Sequence, residues 1–572
     1  MAYFFNGNMI ESPAVVSRVD DSAMLNRSIN VGNIVALLGK CTGGQPGTVL
    51  RFSDPTAAAA ALGSGELVSA VKRAFAPSAD TASPAEVLVV RVNPATQSTL
   101  VLKDSLAATV ATLTSTGYGL RENQIKVKIE AATNTGLKIT TQRGDAYYTQ
   151  DDIFRNAFKV RYSGAQVSAV MTVSSTQVIL QAPSGTAVAT IDLATYPTVQ
   201  ELVDRINAVS GFAASVQDGN GEKLTLQGLD ACTTQDVKTA DYIAKAHLQA
   251  VIDWFNGAGE GYVTAVRAAD VGTLPAAIPF TYMADAIEGV TTNTEWTAGF
   301  TALQSVDAQW VVPISSDPAI HAMADAHCVF MSGIGRRERR SICGAPLATT
   351  DAAAIVLAKA INSDRTSLVH IGGWDYNDAG VLTLYPPYIV AAMVAGAFAG
   401  LTPGTPLTNK SLRLRGLERK LRNPTDTDAL IRGGVMALED TGTAYKVVKS
   451  ISTWLTNTKF NRVEQSVGVA LDYTARAVRN ALEQVKGIKA NPQSLALAAS
   501  LVETTLRELA KPEPNGLGVL AGDEESPAYK DIRATLAGDV IAVTAQVSPV
   551  IPANYIAITL HAVPYSGAVA VG

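Results

Sequence analysis

The stretch from Thr408 to Lys486 constrains the fold of this 572-residue chain most strongly, because a basic segment there leads into regularly spaced apolar residues. Residues 409–422 carry six basic side chains and one acidic side chain, a local charge of +5 in a chain whose net charge is −5. A charge run is usually a solvated loop, but this one is followed by ordered elements and predicts an acidic surface opposite it.

A long amphipathic helix is predicted after the basic segment. Apolar residues recur at steps of three and four from Val467 to Val485, whereas Arg476 and Arg479 lie on the other side of the helix. One face is therefore expected to pack against the protein, and the other face is expected to be free to meet a partner.

Shorter elements flank this helix. The sequence predicts a helix over residues 426–432 and strands over 435–438 and 445–452. After the long helix, Asn491 is expected to cap a further helix that starts at Pro492.

In their order and spacing, these motifs resemble the C-terminal domain of contractile phage tail sheath proteins. The similar residues are Leu407-Thr408-Asn409, residues 416–421, Asp428-Ala429-Leu430, residues 434–438, Val447-Val448 and the pair Asp472-Tyr473 in the long helix. Earlier in the chain, the turn at residues 43–47 and the strand end Val90-Arg91-Val92 are similar to the first domain of the same family.

The composition indicates a folded protein of several domains. A hydrophobic content of 47% with 17% charged residues excludes a mainly disordered chain. Single cores rarely exceed about 250 to 300 residues, so three or four units are expected. The beginning of the sequence lacks the pattern of a signal peptide, and the longest apolar run, residues 389–401, is shorter than the ~20 residues that span a bilayer. No membrane insertion and no disulfide are expected.

The predicted fold class is α/β and α+β multidomain: α/β core domains, a β-rich inserted outer domain, and an α+β C-terminal domain with extended terminal arms. The family resemblance implies that the inserted domain lies on the outside and that the C-terminal domain faces inward. The predicted division is an N-terminal arm (1–25), a first α/β sheath domain (26–104), a β-rich inserted outer domain (105–238), an α/β domain (239–405), and a C-terminal sheath domain with closing strands and a C-terminal arm (406–572).

Hydrophobic patterning predicts the elements of the second, third and fourth segments. In the first α/β segment it predicts strands over 33–38 and 86–92 around a helix over 65–76. The β-rich segment has strands over 125–129, 136–141, 167–173, 177–181 and 224–226. The next segment has helices over 243–256, 296–305, 318–330, 350–361 and 389–399, and strands over 309–313 and 368–370.

Motifs for catalysis and cofactor binding are incomplete. A phosphate-binding loop needs four residues before its Gly-Lys pair, but six separate Gly32 from Gly39, and Cys41 follows Lys40. His321, His327, Cys328 and Cys343 lack the close pairing of zinc ligands and are interpreted as core residues. The basic run at residues 336–340 is interpreted as an exposed turn or an intersubunit salt-bridge site. No catalytic residue, cofactor site or metal site is predicted.

The resemblance implies a structural protein and not an enzyme: a tail sheath subunit that polymerises as stacked hexameric rings around a tail tube and contracts to drive the tube through the host envelope. The implied partners are further copies of the chain, the tail tube protein, and baseplate and tail terminator proteins, without direct nucleic-acid contact. The implied location is the virion tail, after assembly in the host cytoplasm. The alternatives are the sheath of a phage-tail-like bacteriocin or injection system, and, in a different class, an unrecognised α/β enzyme.

Two sets of residues are predicted to form the assembly contacts. Positive charge in the domain that the family turns inward predicts the tube-facing residues Lys410, Arg413, Arg415, Arg419, Lys420, Arg476 and Arg479. Short β-forming stretches at the two chain ends, including closing strands over 539–547 and 555–563, predict strand exchange between subunits. Its candidate residues are Val15, Val16, Val543, Val547, Ile556, Ile558 and Leu560.

Overall fold

The computed structural model describes residues 3–5, 8–10, 33–563 and 567, with the backbone alone for the first two ranges. Val15 and Val16 of the predicted N-terminal arm lie outside the described residues. The predicted strand, helix and strand of the first α/β segment are confirmed. The elements up to this point are β1 (Tyr3–Phe5), β2 (Asn8–Ile10), β3 (Ile34–Gly39), β4 (Val49–Phe52), α1 (Pro55–Leu62), α2 (Glu66–Phe75) and β5 (Glu86–Arg91).

The next part of the chain is rich in antiparallel strands. Its sheets have the strand orders β18-β7-β6, β10-β9-β8-β19, β15-β11-β17 and β14-β13-β12-β16. The elements are β6 (Thr99–Lys103), β7 (Thr109–Ser115), β8 (Lys126–Ala131), β9 (Leu137–Arg143), β10 (Ala146–Ile153), β11 (Asn156–Tyr162), β12 (Val170–Val173), β13 (Gln177–Gln181), β14 (Ala187–Asp192), α3 (Val199–Asn207), β15 (Phe212–Val216), β16 (Cys232–Asp236), β17 (Tyr242–Lys245), α4 (His247–Phe255), β18 (Val263–Arg267) and β19 (Ile278–Tyr282).

Two predictions for this region are wrong. No strand covers residues 224–226, which form a single bridge and a turn. The helix predicted over 243–256 begins only at His247, because residues 242–245 pair with β11 as a strand. Sheet structure also continues to Tyr282, past the predicted end of the β-rich segment, because β18 and β19 return to pair with β7 and β8.

The following segment alternates helices and buried strands, as predicted. The order β22-β21-β20-β3-β5-β4 forms one six-stranded sheet, which is parallel except for β4. The elements are α5 (Asn293–Leu303), β20 (Trp310–Pro313), α6 (Pro318–Ser332), β21 (Arg340–Gly344), α7 (Asp351–Ile361), β22 (Thr366–Val369), β23 (Gly373–Tyr376), β24 (Leu382–Tyr385) and α8 (Pro387–Ala399).

This sheet joins strands from two distant parts of the chain into one core. The chain leaves β3 toward β5 on one side and leaves β20 toward β21 and β22 on the other. Because such parallel crossovers are right-handed, α2 lies on one face of the sheet and α6 and α7 lie on the other. The two predicted α/β segments therefore share a hydrophobic core, while the five-segment division of the chain stays a prediction.

Helix α8 is the most buried helix of this core. Every residue of α8 except Tyr388 is buried. Gly396 lets α8 cross α2 closely, since a Cβ atom there would lie 2.1 Å from the carbonyl oxygen of Ala74. No helix in the described part of the chain is long and apolar enough to cross a membrane.

The last third contains the elements that the basic segment and long helix predict. The helix that starts at Pro492 is confirmed, with the Asn491 side chain accepting from the Ser494 backbone N–H. The strand predicted over 445–452 is present but shorter, at Tyr445–Val447. The strand predicted over 435–438 is displaced, because the observed strand begins only at Leu438 and runs to Asp440. The elements are β25 (Ser411–Leu412), β26 (Gly416–Leu417), α9 (Asp428–Arg432), β27 (Leu438–Asp440), β28 (Tyr445–Val447), α10 (Phe460–Val463), α11 (Gln465–Leu482), α12 (Pro492–Leu509), β29 (Tyr529–Ala537) and β30 (Val540–Val547).

One of the two predicted closing strands is wrong. The strand over 539–547 is present as β30, but residues 555–563 form neither a helix nor a strand. The partner of β30 is β29, which precedes it in an antiparallel hairpin. A strand needs a partner for its backbone groups, and within the described residues the segment 555–563 has none.

Candidate assembly surfaces

A polar network with little solvent exposure ties helix α11 to the core sheet. Arg340, at the start of β21, donates from Nε to Asp472 Oδ2 at 2.9 Å, and Arg365 donates from Nη1 to the same oxygen at 2.6 Å. The Arg340 and Asp472 side chains are 4% and 16% exposed. Removing one partner of such a pair leaves an uncompensated buried charge, so this contact holds the helix firmly.

Gly468 and Gln465 extend this network into the core. A Cβ atom at Gly468 would lie 2.1 Å from Nη2 of Arg340, so the guanidinium group occupies the space beside the helix backbone. Arg340 Nη1 also donates to Gln465 Oε1 at 2.7 Å, and Gln465 Nε2 donates to Ser367 Oγ at 2.7 Å. The Asp-Tyr pair of the family resemblance therefore belongs to the packing of α11 on the sheet.

Arg476 and Arg479 do not lie on a free helix face, and that prediction is wrong. Arg476 bonds Asp307 Oδ2 at 2.8 Å and Glu338 Oε2 at 3.1 Å, and Arg479 bonds Glu338 Oε1 at 2.5 Å. The Glu338 side chain is 5% exposed and the Arg476 side chain is 11% exposed. Helix periodicity cannot reveal this partner, because Glu338 precedes Arg476 by 138 residues.

The basic run at residues 336–340 is not an exposed turn, because its last three residues are buried. Its ion pairs with α11 lie within one chain. Arg339 Nη1 donates to the Leu303 carbonyl oxygen at 2.9 Å and lies 2.8 Å from His327 Nε2. Burial, together with the neighbouring Arg339 charge, lowers the pKa of His327 to about 3, so its ring is neutral in the folded protein.

The basic segment alternates between buried leucines and exposed arginines. Leu412 and Leu414 are buried, whereas Arg413 and Arg415 are exposed. Strand β25 pairs with β28 and strand β26 pairs with β23, so the backbone on both sides of the arginines is fixed. The two arginines therefore project from a rigid surface and not from a loose loop.

The other candidates in the basic segment differ in their surroundings. Arg419 is exposed and pairs with Asp351 beside the buried His370. Lys420 is exposed and Lys410 is half-buried. Within residues 33–563, no ion pair is formed by Lys410, Lys420 or the two exposed arginines, Arg413 and Arg415.

The closing hairpin leaves an apolar groove beside the last two long helices. Strand β30 has β29 on one side and no strand on its other side among the described residues. Val543 and Val547 of β30 are half-buried against the cluster formed by α11 and α12. The groove has a volume of about 290 Å³ and is lined by Leu471, Thr474, Ala475, Val478, Leu482, Val502, Leu506, Val543, Ala545 and Val547.

The chain beyond Asn554 exposes an apolar series. Asn554 Nδ2 donates to Glu464 Oε1 at 2.7 Å and anchors the chain there. Ile556, Ile558 and Leu560 are 84%, 77% and 88% exposed. Because they are two residues apart, an extended backbone places all three side chains on the same side.

Arg91, in the Val-Arg-Val strand end, ties the core to the β-rich region. Its side chain is fully buried, and Nη1 donates to the carbonyl oxygens of Gly44 and Tyr118 at 3.1 and 3.2 Å. Nη2 reaches Glu288 Oε1 at 3.4 Å. One side chain therefore holds together a core loop and both ends of the β-rich region.

The sequence candidates for metal binding are packed core residues. In the described part of the chain, no three His, Cys, Asp or Glu side chains are grouped so that they could hold a metal ion. His321 contacts the Ser315 carbonyl oxygen at 2.9 Å through Nε2. Burial raises the pKa of Cys343 to about 12 and raises that of Cys328 further, so both remain thiols.

Sequence comparison identifies homologues of this chain. No protein-family model matches the chain. The chain is 29% identical over 591 residues to the tail sheath protein of Bacillus phage SP01, which covers 98% of this chain and 97% of that protein. It is 24% identical over 510 residues to the tail sheath protein of Staphylococcus phage Twort, covering 83% and 85% of the two chains. The chain is a homologue of phage tail sheath proteins.

The fold of this tail sheath homologue is also found in a solved structure. A sheath tail protein from Listeria innocua matches with a TM-score of 0.56 at 15% sequence identity, over 92% of this chain and 94% of that chain. The homologues are named for a structural part of the virion and not for a reaction.

Sequence reasoning missed Glu338 and Arg340 as the partners of α11. The signal was present in two separate places. The run at residues 336–340 suggested salt bridges, and Asp472, Arg476 and Arg479 are spaced by four and three residues along one side of a helix. Only the folded structure shows that the run at residues 336–340 lies against the charged side of α11.

Proposed function

We propose that this chain is the structural subunit of a contractile tail sheath, which polymerises as stacked hexameric rings around a tail tube and contracts to drive the tube through the host envelope. The observation that carries the proposal is the similarity to a tail sheath protein over 98% of the chain. The further partners are baseplate and tail terminator proteins. The subunit is assembled in the host cytoplasm and becomes part of the virion.

Strand exchange at the chain ends supplies the contact between copies. An unpaired strand edge invites another chain to add a strand, and β30 has such an edge. Residues 555–563 of a neighbouring copy pair with this edge, so that Ile556, Ile558 and Leu560 enter the apolar groove at Val543 and Val547. Val15 and Val16 at the other chain end add a further strand.

The basic segment supplies the contact with the tube. Arg413, Arg415 and Lys420 are exposed on a fixed backbone, and Lys410 and Arg419 flank them. Each exposed ion pair contributes only about 0.2 to 1 kcal/mol, but the contact repeats in every subunit. Arg476 and Arg479 are left out of this surface, because Glu338 already compensates their charges.

The proposal includes an arrangement of domains that these contacts support. Residues 26–104 and 239–405 form the body of the subunit, residues 105–238 belong to an outer domain, and residues 406–572 face the tube. Residues 1–25 and the segment after Asn554 are the arms. Arg91 and the Arg340–Asp472 network connect the outer and inner parts to the body.

Negative-stain electron microscopy of the purified protein tests the proposal. The wild-type protein should form hollow cylinders. The triple variant Ile556→Asp, Ile558→Asp, Leu560→Asp should stay soluble and folded but form none, because these side chains contact little in the single chain.

The matched control is Val290→Asp, since Val290 is 83% exposed and lies outside the arms. This variant should form cylinders like the wild type. Cylinders of normal length and number from the triple variant would refute the strand-exchange contact, and a wild-type protein that remains monomeric under all assembly conditions would refute the proposed function.

A further inference from the structure

The sheet β10-β9-β8-β19 has one face in the core and one face in solvent. Buried and partly exposed residues alternate along β8. Val127 and Ile129 are buried, whereas Lys126 and Lys128 are partly exposed. This alternation is the pattern of a strand with one wet side. The side chains on the solvent-exposed face are therefore not required for packing the core and can contact a ligand.

Aromatic rings lie at both edges of this wet side. In the row that crosses the sheet, Tyr282 is opposite Lys126, Lys126 is opposite Gln142, and Gln142 is opposite Tyr147. Tyr147 and Tyr282 are 63% and 56% exposed, and Phe280 beside Tyr282 is 44% exposed. Strands are about 4.8 Å apart, so the rings at the two edges are separated by about 14 Å.

Hydrogen-bonding groups and lysines occupy the space between the rings. Thr140 and Thr149 lie opposite each other with their hydroxyl oxygens 2.9 Å apart. Lys126 Nζ lies 4.9 Å from the centroid of the Phe280 ring and, within residues 33–563, has no carboxylate partner. Lys128 pairs with Glu130 at 2.5 Å, and Lys138 lies 4.0 Å from the same carboxylate. Asp151 of β10 lies near Lys138, whose charge contributes to lowering the pKa of that carboxyl. Three lysines, one glutamate and this aspartate give the face a charge of +1.

We propose that this aromatic–lysine face binds a polysaccharide that carries anionic groups. The C–H face of a sugar ring is apolar and packs on an aromatic ring, while its hydroxyl groups exchange hydrogen bonds with amide and hydroxyl side chains. The separation of about 14 Å between the aromatic edges, which is three strand spacings, allows one extended polymer of linked sugar rings to contact both edges. The lysines between them match the carboxylate or phosphate groups of the polymer.

Single-stranded nucleic acid is the closest competing ligand, because bases also stack on aromatic rings. Nucleic-acid grooves follow the phosphate backbone with a continuous row of cations. Here the middle of the face is occupied by Gln142, Thr140 and Thr149, and Lys126 is the lysine without a carboxylate partner. The chain as a whole carries a charge of −5. Neutral hydrogen-bonding groups between the rings favour the sugar polymer.

Affinity electrophoresis of the full-length protein tests this proposal. The gels contain alginate, a polymer of uronic acids, or dextran, which is neutral, or a single-stranded oligothymidylate. The wild-type protein should be retarded by alginate, with weaker retardation by dextran and by the oligonucleotide. The double variant Tyr147→Ala, Tyr282→Ala should bind alginate at least about tenfold more weakly, and Lys126→Glu should also reduce the retardation.

The matched control is Tyr376→Ala, since Tyr376 is 52% exposed on a different sheet. Its retardation by alginate should equal that of the wild type. No retardation of the wild type by alginate, equal retardation by dextran, or stronger variant-sensitive retardation by the oligonucleotide would each overturn the proposal. A loss of self-association in the double variant, without a change in alginate binding, would assign the face to a contact between copies. The test does not depend on cylinder formation, so it can fail while the proposed sheath function holds.

Discussion

Replacing Asp472 by alanine should loosen helix α11 from the core sheet. The carboxylate is 16% exposed and accepts from Arg340 at 2.9 Å and from Arg365 at 2.6 Å. Alanine leaves both guanidinium groups without this partner, and the Arg340 side chain is 4% exposed. Breaking a buried pair by removing one member costs about 3 to 5 kcal/mol. At 1.4 kcal/mol per factor of ten, this corresponds to roughly two to three and a half orders of magnitude in the opening equilibrium of α11.

A surface pair of the same length provides the control. Lys72 and Asp378 also lie 2.6 Å apart, but the Asp378 side chain is 78% exposed. Exposed pairs contribute about 0 to 1 kcal/mol, so Asp378→Ala should change little. The two ion pairs, Arg365–Asp472 and Lys72–Asp378, therefore have the same N–O distance but differ in the burial of their carboxylates.

Amide hydrogen exchange of the monomeric protein measures the effect locally, without assuming that a chain of several domains unfolds in one step. The amides of α11 should lose protection in Asp472→Ala and keep it in Asp378→Ala. If α11 exchanges equally in the two variants, burial does not decide the strength of this contact and the reasoning is wrong.

Three further predictions concern charge, pH and thiol reactivity. Arg413→Glu combined with Arg415→Glu should reduce the amount of protein that co-sediments with purified tubes, while the circular dichroism spectrum of the monomer stays unchanged. Unchanged co-sedimentation would show that neither residue contacts the tube. The pKa of His327 is about 3 in the folded protein and about 6.5 in the unfolded chain, so the folded protein keeps its full stability above pH 6.5. As the pH drops from 6.5 toward 3, the free energy of unfolding falls by at most about 1.4 kcal/mol per pH unit. Between pH 7 and pH 5, urea unfolding should show a smaller loss of stability for His327→Gln than for the wild type, and an equal loss would contradict this. Alkylation of the native protein at pH 8 should modify the half-buried Cys232 and leave the three buried cysteines unmodified until denaturant is added. Modification of all four cysteines in the native sample, detected by mass spectrometry, would refute this prediction.

The sequence predicted elements where one residue pattern determines one local structure. Helix α12 followed from Asn491 and Pro492, and α11 followed from a regular apolar period. Strand β29 was missed because Lys530, Asp531 and Arg533 interrupt its pattern and the strand is mostly exposed. Local pattern also predicted a strand over 555–563, where the described residues offer no partner.

The assembly residues were harder to predict than the elements, because their role depends on what lies opposite. Arg413 and Arg476 are both basic residues in the same third of the chain. The first projects into solvent from the bend between β25 and β26, and the second contacts a buried glutamate from a distant segment. Charge and spacing alone cannot separate these two environments, since the difference arises only when α11 packs on β21.

The distribution of these contacts determines which parts of the chain could move separately in the proposed contraction. Two sets of ion pairs join α11 to the core, one through Asp472 and the other through Glu338, so the helix and the sheet must move together. Beyond the Asn554–Glu464 hydrogen bond, the described residues 555–563 form no ion pair with the core. The Lys449 ammonium group lies 5.5 Å from the centroid of the Tyr555 ring, and the apolar series is exposed. A rearrangement that rotates whole subunits can therefore keep every buried ion pair, provided that the backbone turns just after Asn554 and the exchanged strand stays in its groove. The energetic demand of the proposed contraction would then fall on the proposed contacts between subunits, and the core would not need to repack.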